Sequence, residues 1–267
     1  MPKVRIDNTL EMYYEDHDFT DPWRTAETVV LHHGNAKNCE LWYAWVPLLA
    51  RQYRVVRLDA RGFGQSTVPP PGYPWSLGGF AEDLKKLLDA LGLDRVHLIG
   101  ETVGGTISLQ FAYQYPERLK SLTVCTSPYK FRGDSSYIQN RDLVAREGVD
   151  AWVRKTSHQR INPGQSDPQH MEWYAQQMSR TAKHVVVETL TYLSGQDMSN
   201  ILPQISVPTL VLVSEDGHKR SPDRAEGMRR LIPNSKLVVL PGTSGYVQHS
   251  FPERCVAAWR EFVGGLS

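Results

Sequence analysis

The sequence predicts an α/β protein, with a mostly parallel central sheet flanked by helices and interrupted by one helical insertion. Three observations carry this. Short apolar, β-branched runs recur and most are followed by a helical pattern, the alternation that builds a parallel sheet covered on both faces. One such run enters a sharp glycine-rich turn and then a helix, in "LIGETVGGTISLQFA" (98–112). Residues 128–203 break the rhythm, being more polar and helix-like with no convincing strand. At 267 residues, with 40% hydrophobic and 22% charged side chains, the chain is an ordinary globular one, long enough for a single large core.

Taken in order, the segments around 3–6 and 10–14 read as an antiparallel edge pair. "ETVVLHHG" (27–34) reads as a buried strand ending in a loop, and "YRVVRLDARGFGQS" (53–66) as a strand closed by a glycine-rich turn. "GFAEDLKKLLDALG" (79–92) sets apolar residues at helical spacing and stops at a glycine. "RVHLIG" (95–100) is the next strand, 103–115 a helix ended by Pro116, and "LKSLTVCTS" (119–127) a further strand. In the insertion, "DLVAREGVDAWVRKT" and "EWYAQQMSRTAKHVVVETLTYL" read as helical pieces. Then follow the strand "VPTLVLVSED" (207–216), a helix over 222–232, the strand "KLVVLPG" (236–242) and a last helix near 252–263. This divides the chain into a core of residues 1–127 and 204–267 and a helical cap, 128–203. Such a cap would lie over the carboxyl ends of the strands, where open α/β sheets place their ligand crevice.

Thirty basic and 29 acidic side chains leave a formal net charge of +1, so no global field favours nucleic acid or an anionic membrane. Cys39, Cys125 and Cys255 are widely spaced and odd in number, which argues against a disulfide framework or a cysteine-rich metal site. The opening "MPKVRIDNTLEMYYEDHD" lacks the apolar centre of a signal peptide, and no run approaches the roughly 20 apolar residues of a membrane span. The expectation is a soluble, cytoplasmic protein acting on a small molecule. The histidines lack metal-ligand spacing and no glycine-rich nucleotide loop occurs, so no metal or cofactor is expected.

Gly100-Glu101-Thr102-Val103-Gly104-Gly105 fits the pattern G-x-nucleophile-x-G, with Thr102 where serine is usual. Together with "LHHGN" (31–35), "LDARGFGQS" (58–66), "VPTLVLVSEDG" (207–217) and "LVVLPGTSGYVQHSFPE" (237–253), this turn resembles the α/β-hydrolase superfamily, its small capped members in particular, almost end to end. The resemblance implies a nucleophile at Thr102 and an oxyanion hole from the backbone N–H groups of Val103 and Asn35. It also implies a loop-pinning role for Asp59 and Arg61. The acid and histidine segments depart from the family pattern. With Ser214 at the family's strand-end glycine, the acid slot falls on Gly217, and the histidine slot falls on Gly245. All three catalytic slots are altered at once.

A triad needs a nucleophile, an imidazole and a group that orients the imidazole. Thr102 offers an Oγ whose neighbouring methyl stiffens χ1; it is a nucleophile, or a hydroxyl that holds substrate or water. His249 is the candidate base and proton carrier, the alternative being a surface residue before the last helix. Asp216 could orient a histidine or stand as a strand-end surface carboxylate. Glu101 has two readings: a general acid or base with a raised pKa, or a buried group neutralised by a lysine or arginine. His33, His218, Trp42 and Tyr246 are candidate substrate contacts, with a structural role in its loop the stronger reading of His33 and solvation that of His218. Trp42, Trp45, Trp152, Trp173 and Tyr174 would supply cap and cavity walls. The activity expected is cofactor-independent cleavage of an ester, lactone, amide or C–C bond in a small, partly apolar metabolite. A lyase, decarboxylase or isomerase, or a non-catalytic binding protein, are the alternatives on the same fold.

Overall fold

Eight strands build one sheet in the computed structural model, which describes residues 2–266. They are β1 (Lys3–Asp7), β2 (Leu10–His17), β3 (Thr28–His32), β4 (Arg54–Leu58), β5 (Val96–Glu101), β6 (Leu119–Cys125), β7 (Thr209–Ser214) and β8 (Ser235–Leu240). Their order is β1-β2-β4-β3-β5-β6-β7-β8. β1 and β2 form the antiparallel edge expected from the sequence, β2 runs antiparallel to β4, and every later pairing is parallel. Every residue of β3, β5 and β7 is buried, as continuous apolar runs between two helical layers require.

The helices are α1 (Trp45–Leu49), α2 (Leu77–Ala90), α3 (Val103–Gln114), α4 (Ser135–Glu147), α5 (Val149–Thr156), α6 (Pro168–Ser179), α7 (Lys183–Leu193), α8 (Glu215–Arg220), α9 (Pro222–Leu231), α10 (Val247–Ser250) and α11 (Pro252–Gly264). Leu84 and Leu88 of α2 and Ile107 and Phe111 of α3 pack with Leu98, Leu122 and Val211 on one face of the sheet. Trp42, Trp45 and Trp259 pack with Val29, Leu31 and Leu210 on the other. Each such side chain taken fully out of water contributes about 1.5–3 kcal/mol, so the two layers fix the strand order from both sides. Helices α4 to α7 lie between β6 and β7 in the chain and form their own apolar cluster, with Val144, Trp152, Tyr174 and Met178 closing on Leu41.

Several local readings needed correction. The helix-like stretch 142–156 is cut at Gly148, whose φ of 90° no helix accommodates. The piece 172–193 is two helices, because Ala182 is extended at ψ 131°. The strand read over 207–216 stops at Ser214, whose Oγ accepts from the Gly217 N–H at 3.1 Å and caps α8. Trp42 and Trp45 belong to the layer under the sheet and do not line the cavity described below. Asp59 and Arg61 pin loops, but not each other. Asp59 accepts from the N–H groups of Cys39 and Gln65, while Arg61 pairs with Asp83 at 2.7 Å. Among the described residues no helix is long and apolar enough to cross a membrane, and all three cysteines are buried and free.

Candidate active site

β5 ends at Glu101 and α3 begins at Val103, so Thr102 alone makes the turn, at φ 48° and ψ −120°. A β-branched residue at positive φ carries about 1–3 kcal/mol of strain and persists only where its surroundings over-determine it. Here they do: the Thr102 N–H donates to the Cys125 carbonyl at 2.9 Å, and its carbonyl accepts from the Thr106 N–H at 3.2 Å. Its hydroxyl rests against the loop after β3, where a side-chain carbon on Gly34 would fall 1.9 Å from Oγ1. Among the described residues that hydroxyl has no hydrogen-bond partner. Thr102 borders a cavity of about 590 Å³ shared with Asn35, Lys37, Val103, Arg160 and Tyr246. The backbone N–H groups of Asn35 and Val103 likewise donate to no protein acceptor among the described residues.

Directly behind Thr102 sits a buried charge cluster. Glu101 is fully buried, and its Oε2 accepts from Lys37 Nζ at 2.5 Å, Gln248 Nε2 at 2.7 Å and His249 Nε2 at 2.8 Å. Its Oε1 accepts from the Gly34 N–H at 3.3 Å. Lys37 Nζ lies 3.4 Å from His249 Nε2 and 4.7 Å from the centre of the Tyr246 ring. Burial by itself would raise the Glu101 pKa, but the charges and hydrogen bonds of His249 and Lys37 overcome it and hold the carboxyl well below its usual range. Lys37 pairs with Glu101 at 2.5 Å, the arrangement of the buried, neutralised carboxylate, and the shift runs down, not up. Burial pushes Lys37 down to about 8 against the pull of Glu101, and pushes His249 down as well.

Gly245 and Gly217, the positions where the sequence reading placed the histidine and acid slots, each sit in a distinct backbone setting. A side-chain carbon on Gly245 would fall 2.4 Å from the Arg160 carbonyl oxygen, and Gly245 has a φ of 65°. The same carbonyl accepts from the Tyr246 N–H at 2.7 Å. The histidine slot is thus closed by backbone of the inserted segment. Gly245→Ala should lower the unfolding free energy by about 1–3 kcal/mol in urea titrations, and a change below about 0.5 kcal/mol would show that this contact is not a constraint. Gly217 has become part of the first turn of α8.

The proposed site residues separate accordingly. Thr102, Asn35, Val103, Tyr246 and His218 border the one cavity, with His218 Nδ1 buried and unpartnered. His249 is buried beside Glu101, against the rings of Trp42 and Tyr174, and does not border the cavity or bond Thr102. Asp216 is half exposed and paired with Arg220 at 2.9 Å, and its carboxylate bonds no histidine among the described residues. His33 is a structural residue of its loop: Nδ1 donates to the Gly34 carbonyl, Nε2 accepts from the Ala60 N–H, and burial pushes its pKa down to about 3. Trp42 is not among the residues bordering this cavity. Lys37, Gln248 and Arg160 were missed by sequence reasoning. Lys37 left a trace, a lone cation in "HHGNAKNCELW" just after the strand that reads as buried.

The sheet order and the strained strand-to-helix turn define an α/β-hydrolase fold. A family model described as alpha/beta hydrolase fold matches residues 27–252, and the chain belongs to that family. Among sequence relatives, it is 28% identical over 247 residues to "Putative carbamate hydrolase RutD" of Stutzerimonas stutzeri (strain A1501), covering 86% of this chain and 88% of the relative. A thermophilic esterase from Thermogutta terrifontis, solved with malate bound, is 28% identical with a TM-score of 0.87 over 100% of this chain and 99% of that one. The enol-lactonase from Burkholderia xenovorans LB400 superposes with a TM-score of 0.89 at 19% identity, over 98% of this chain and 100% of that one.

Proposed function

We propose that the protein is a cofactor-independent hydrolase that cleaves an ester, lactone, amide or C–C bond beside a carbonyl in a small, partly apolar molecule. The observation that carries this reading is Thr102, held in a strained turn with its hydroxyl unbonded at the cavity and two unbonded N–H groups on the same wall. In this reading Thr102 Oγ1 attacks the carbonyl carbon and passes its proton to a base. The N–H groups of Asn35 and Val103 take the oxyanion. The leaving group departs with that proton, and water then cleaves the acyl-enzyme and restores the hydroxyl. Residues 128–203 serve as the cap that keeps bulk water out. The relatives named as a carbamate hydrolase and an esterase support hydrolysis and add carbamates to the candidate substrates.

Lys37 takes the role of proton carrier in this proposal, in the manner of a Ser–Lys arrangement. It borders the same cavity as Thr102, and its pKa of about 8 keeps a usable fraction neutral near physiological pH. Glu101, His249 and Gln248 are then positioning residues that hold its ammonium group. Only neutral Lys37 accepts a proton, so kcat/KM should rise with pH through an apparent pKa near 8. The residual rate of Lys37→Met should be flat across that range. A limb that persists in the variant would assign the proton transfer elsewhere.

The hydrolase reading is tested by turnover of short esters, lactones, amides and carbamates in heavy-oxygen water. Hydrolysis places solvent oxygen in the acid product, and failure to turn over any of the panel would count against it. A second reading, a lyase or isomerase without a covalent intermediate, is favoured by one observation: no base bonds the Thr102 hydroxyl among the described residues. Turnover without solvent oxygen in the product would select it.

A further inference from the structure

Most cations on the cavity wall already have a carboxylate. Lys37 pairs with Glu101, Arg224 with Asp134 at 2.7 Å, and Arg220 with Asp216 at 2.9 Å. Arg160 is the exception. It borders the same cavity, is only 7% exposed, and pairs with no carboxylate among the described residues. Its Nη1 donates to Thr156 Oγ1 at 2.7 Å, and its guanidinium carbon lies 4.8 Å from the centre of the Trp152 ring. Nε and Nη2 have no protein acceptor among the described residues. An arginine cannot relieve the cost of burial by losing its proton. Its backbone is also tied down, through the carbonyl that accepts from the Tyr246 N–H. The side chain is thus held by a ring, a hydroxyl and a fixed backbone, with one edge of its donor fork left over.

We propose that Arg160 is a carboxylate-binding subsite: the substrate carries a free carboxylate remote from its scissile bond, and the Nε and Nη2 edge of Arg160 binds it in a bidentate pair. One uncompensated positive charge on one planar fork matches one carboxylate monoanion. The inference rests on the hydrolase reading and narrows its substrate class to monoesters, monoamides or lactones derived from dicarboxylic acids. It also gives the closed Gly245 slot a consequence. The same backbone crossing that excludes a histidine there sets Arg160 at the wall.

The test compares the mono-p-nitrophenyl ester of glutaric acid with p-nitrophenyl pentanoate, together with calorimetric binding of glutarate to the resting protein. Wild type should favour the anionic ester by at least about tenfold in kcat/KM, and Arg160→Met should lower that ratio by about 10- to 100-fold, chiefly through KM. Glutarate affinity should fall in parallel. Arg160→Lys keeps the charge without the fork and should also weaken glutarate, which keeps the test decisive if the methionine variant folds poorly. Lys155→Met, which removes one exposed charge, should leave the ratio unchanged and so exclude a general field effect. An ester ratio and a glutarate affinity that do not respond to either Arg160 variant would overturn the subsite while leaving the hydrolase reading intact. If neither ester is hydrolysed but glutarate binds in an Arg160-dependent way, the subsite stands and the hydrolase reading fails. Absence of glutarate binding and of any anionic preference in wild type overturns the subsite.

Discussion

Thr102→Ala should lower kcat/KM by at least about 10³-fold on any substrate the wild type hydrolyses, because it removes the only oxygen this reading assigns to attack. Stability should change by less than about 1 kcal/mol, since the hydroxyl makes no protein hydrogen bond to lose and alanine keeps the same Cβ in the turn. The two readouts together separate loss of chemistry from loss of fold. Thr102→Ser keeps the oxygen and removes the methyl that restricts χ1, so its rate should stay within about tenfold of wild type. An alanine variant that retained a tenth of the activity would make Thr102 a substrate anchor instead of a nucleophile. Rapid mixing with an activated ester gives a further check, as an acyl adduct on Thr102 should appear in the intact mass before steady state.

Lys37→Met should lower the unfolding free energy by about 3–5 kcal/mol, because it leaves Glu101 as a buried carboxylate short of its closest cation. The midpoint in urea should fall with little change in slope. Adding Glu101→Gln should recover much of the loss, since a buried pair removed as a unit costs far less than one partner removed alone. A pair of single variants whose effects simply add would show that the two side chains are not coupled.

The pH dependence of stability follows from the same cluster. Glu101 has a folded pKa below its ordinary 4.5, so its contribution is present above that value and is lost only as pH falls through the lower folded one. Lys37→Met weakens that depression, so the acid-induced loss of stability from this group should be smaller and complete at higher pH than in wild type. Lys37 works in the opposite sense. Its pKa falls from 10.5 to about 8 on folding, so the cost of burying its charge is present below 8 and is relieved as pH rises toward 10.5. Unfolding free energies measured across both windows check the two signs independently.

The central strands β3, β5 and β7 were readable because each is rich in apolar or β-branched residues, a pattern their two-sided burial demands. The Thr102 turn was readable from its glycines, strand and helix, all adjacent in the chain. Helix ends inside the insertion were not, because Gly148 and Ala182 break a polar, weakly periodic stretch through single backbone angles. Glu101 was legible as an anomaly but not as an answer. Its pKa depends on Lys37, which lies 64 residues away in sequence, and on His249, 148 residues away.

The amino-acid order by itself therefore determined the layered fold and the turn that carries Thr102, since both are written in local pattern. Only the tertiary structure decided what surrounds that turn. It put Lys37 and His249 on one buried carboxylate, sent Asp216 to the surface, and laid the Arg160 backbone across Gly245. Those outcomes depend on which distant side chains share a region of low dielectric, where the balance between burial and pairing sets every charge, and no local pattern records that balance.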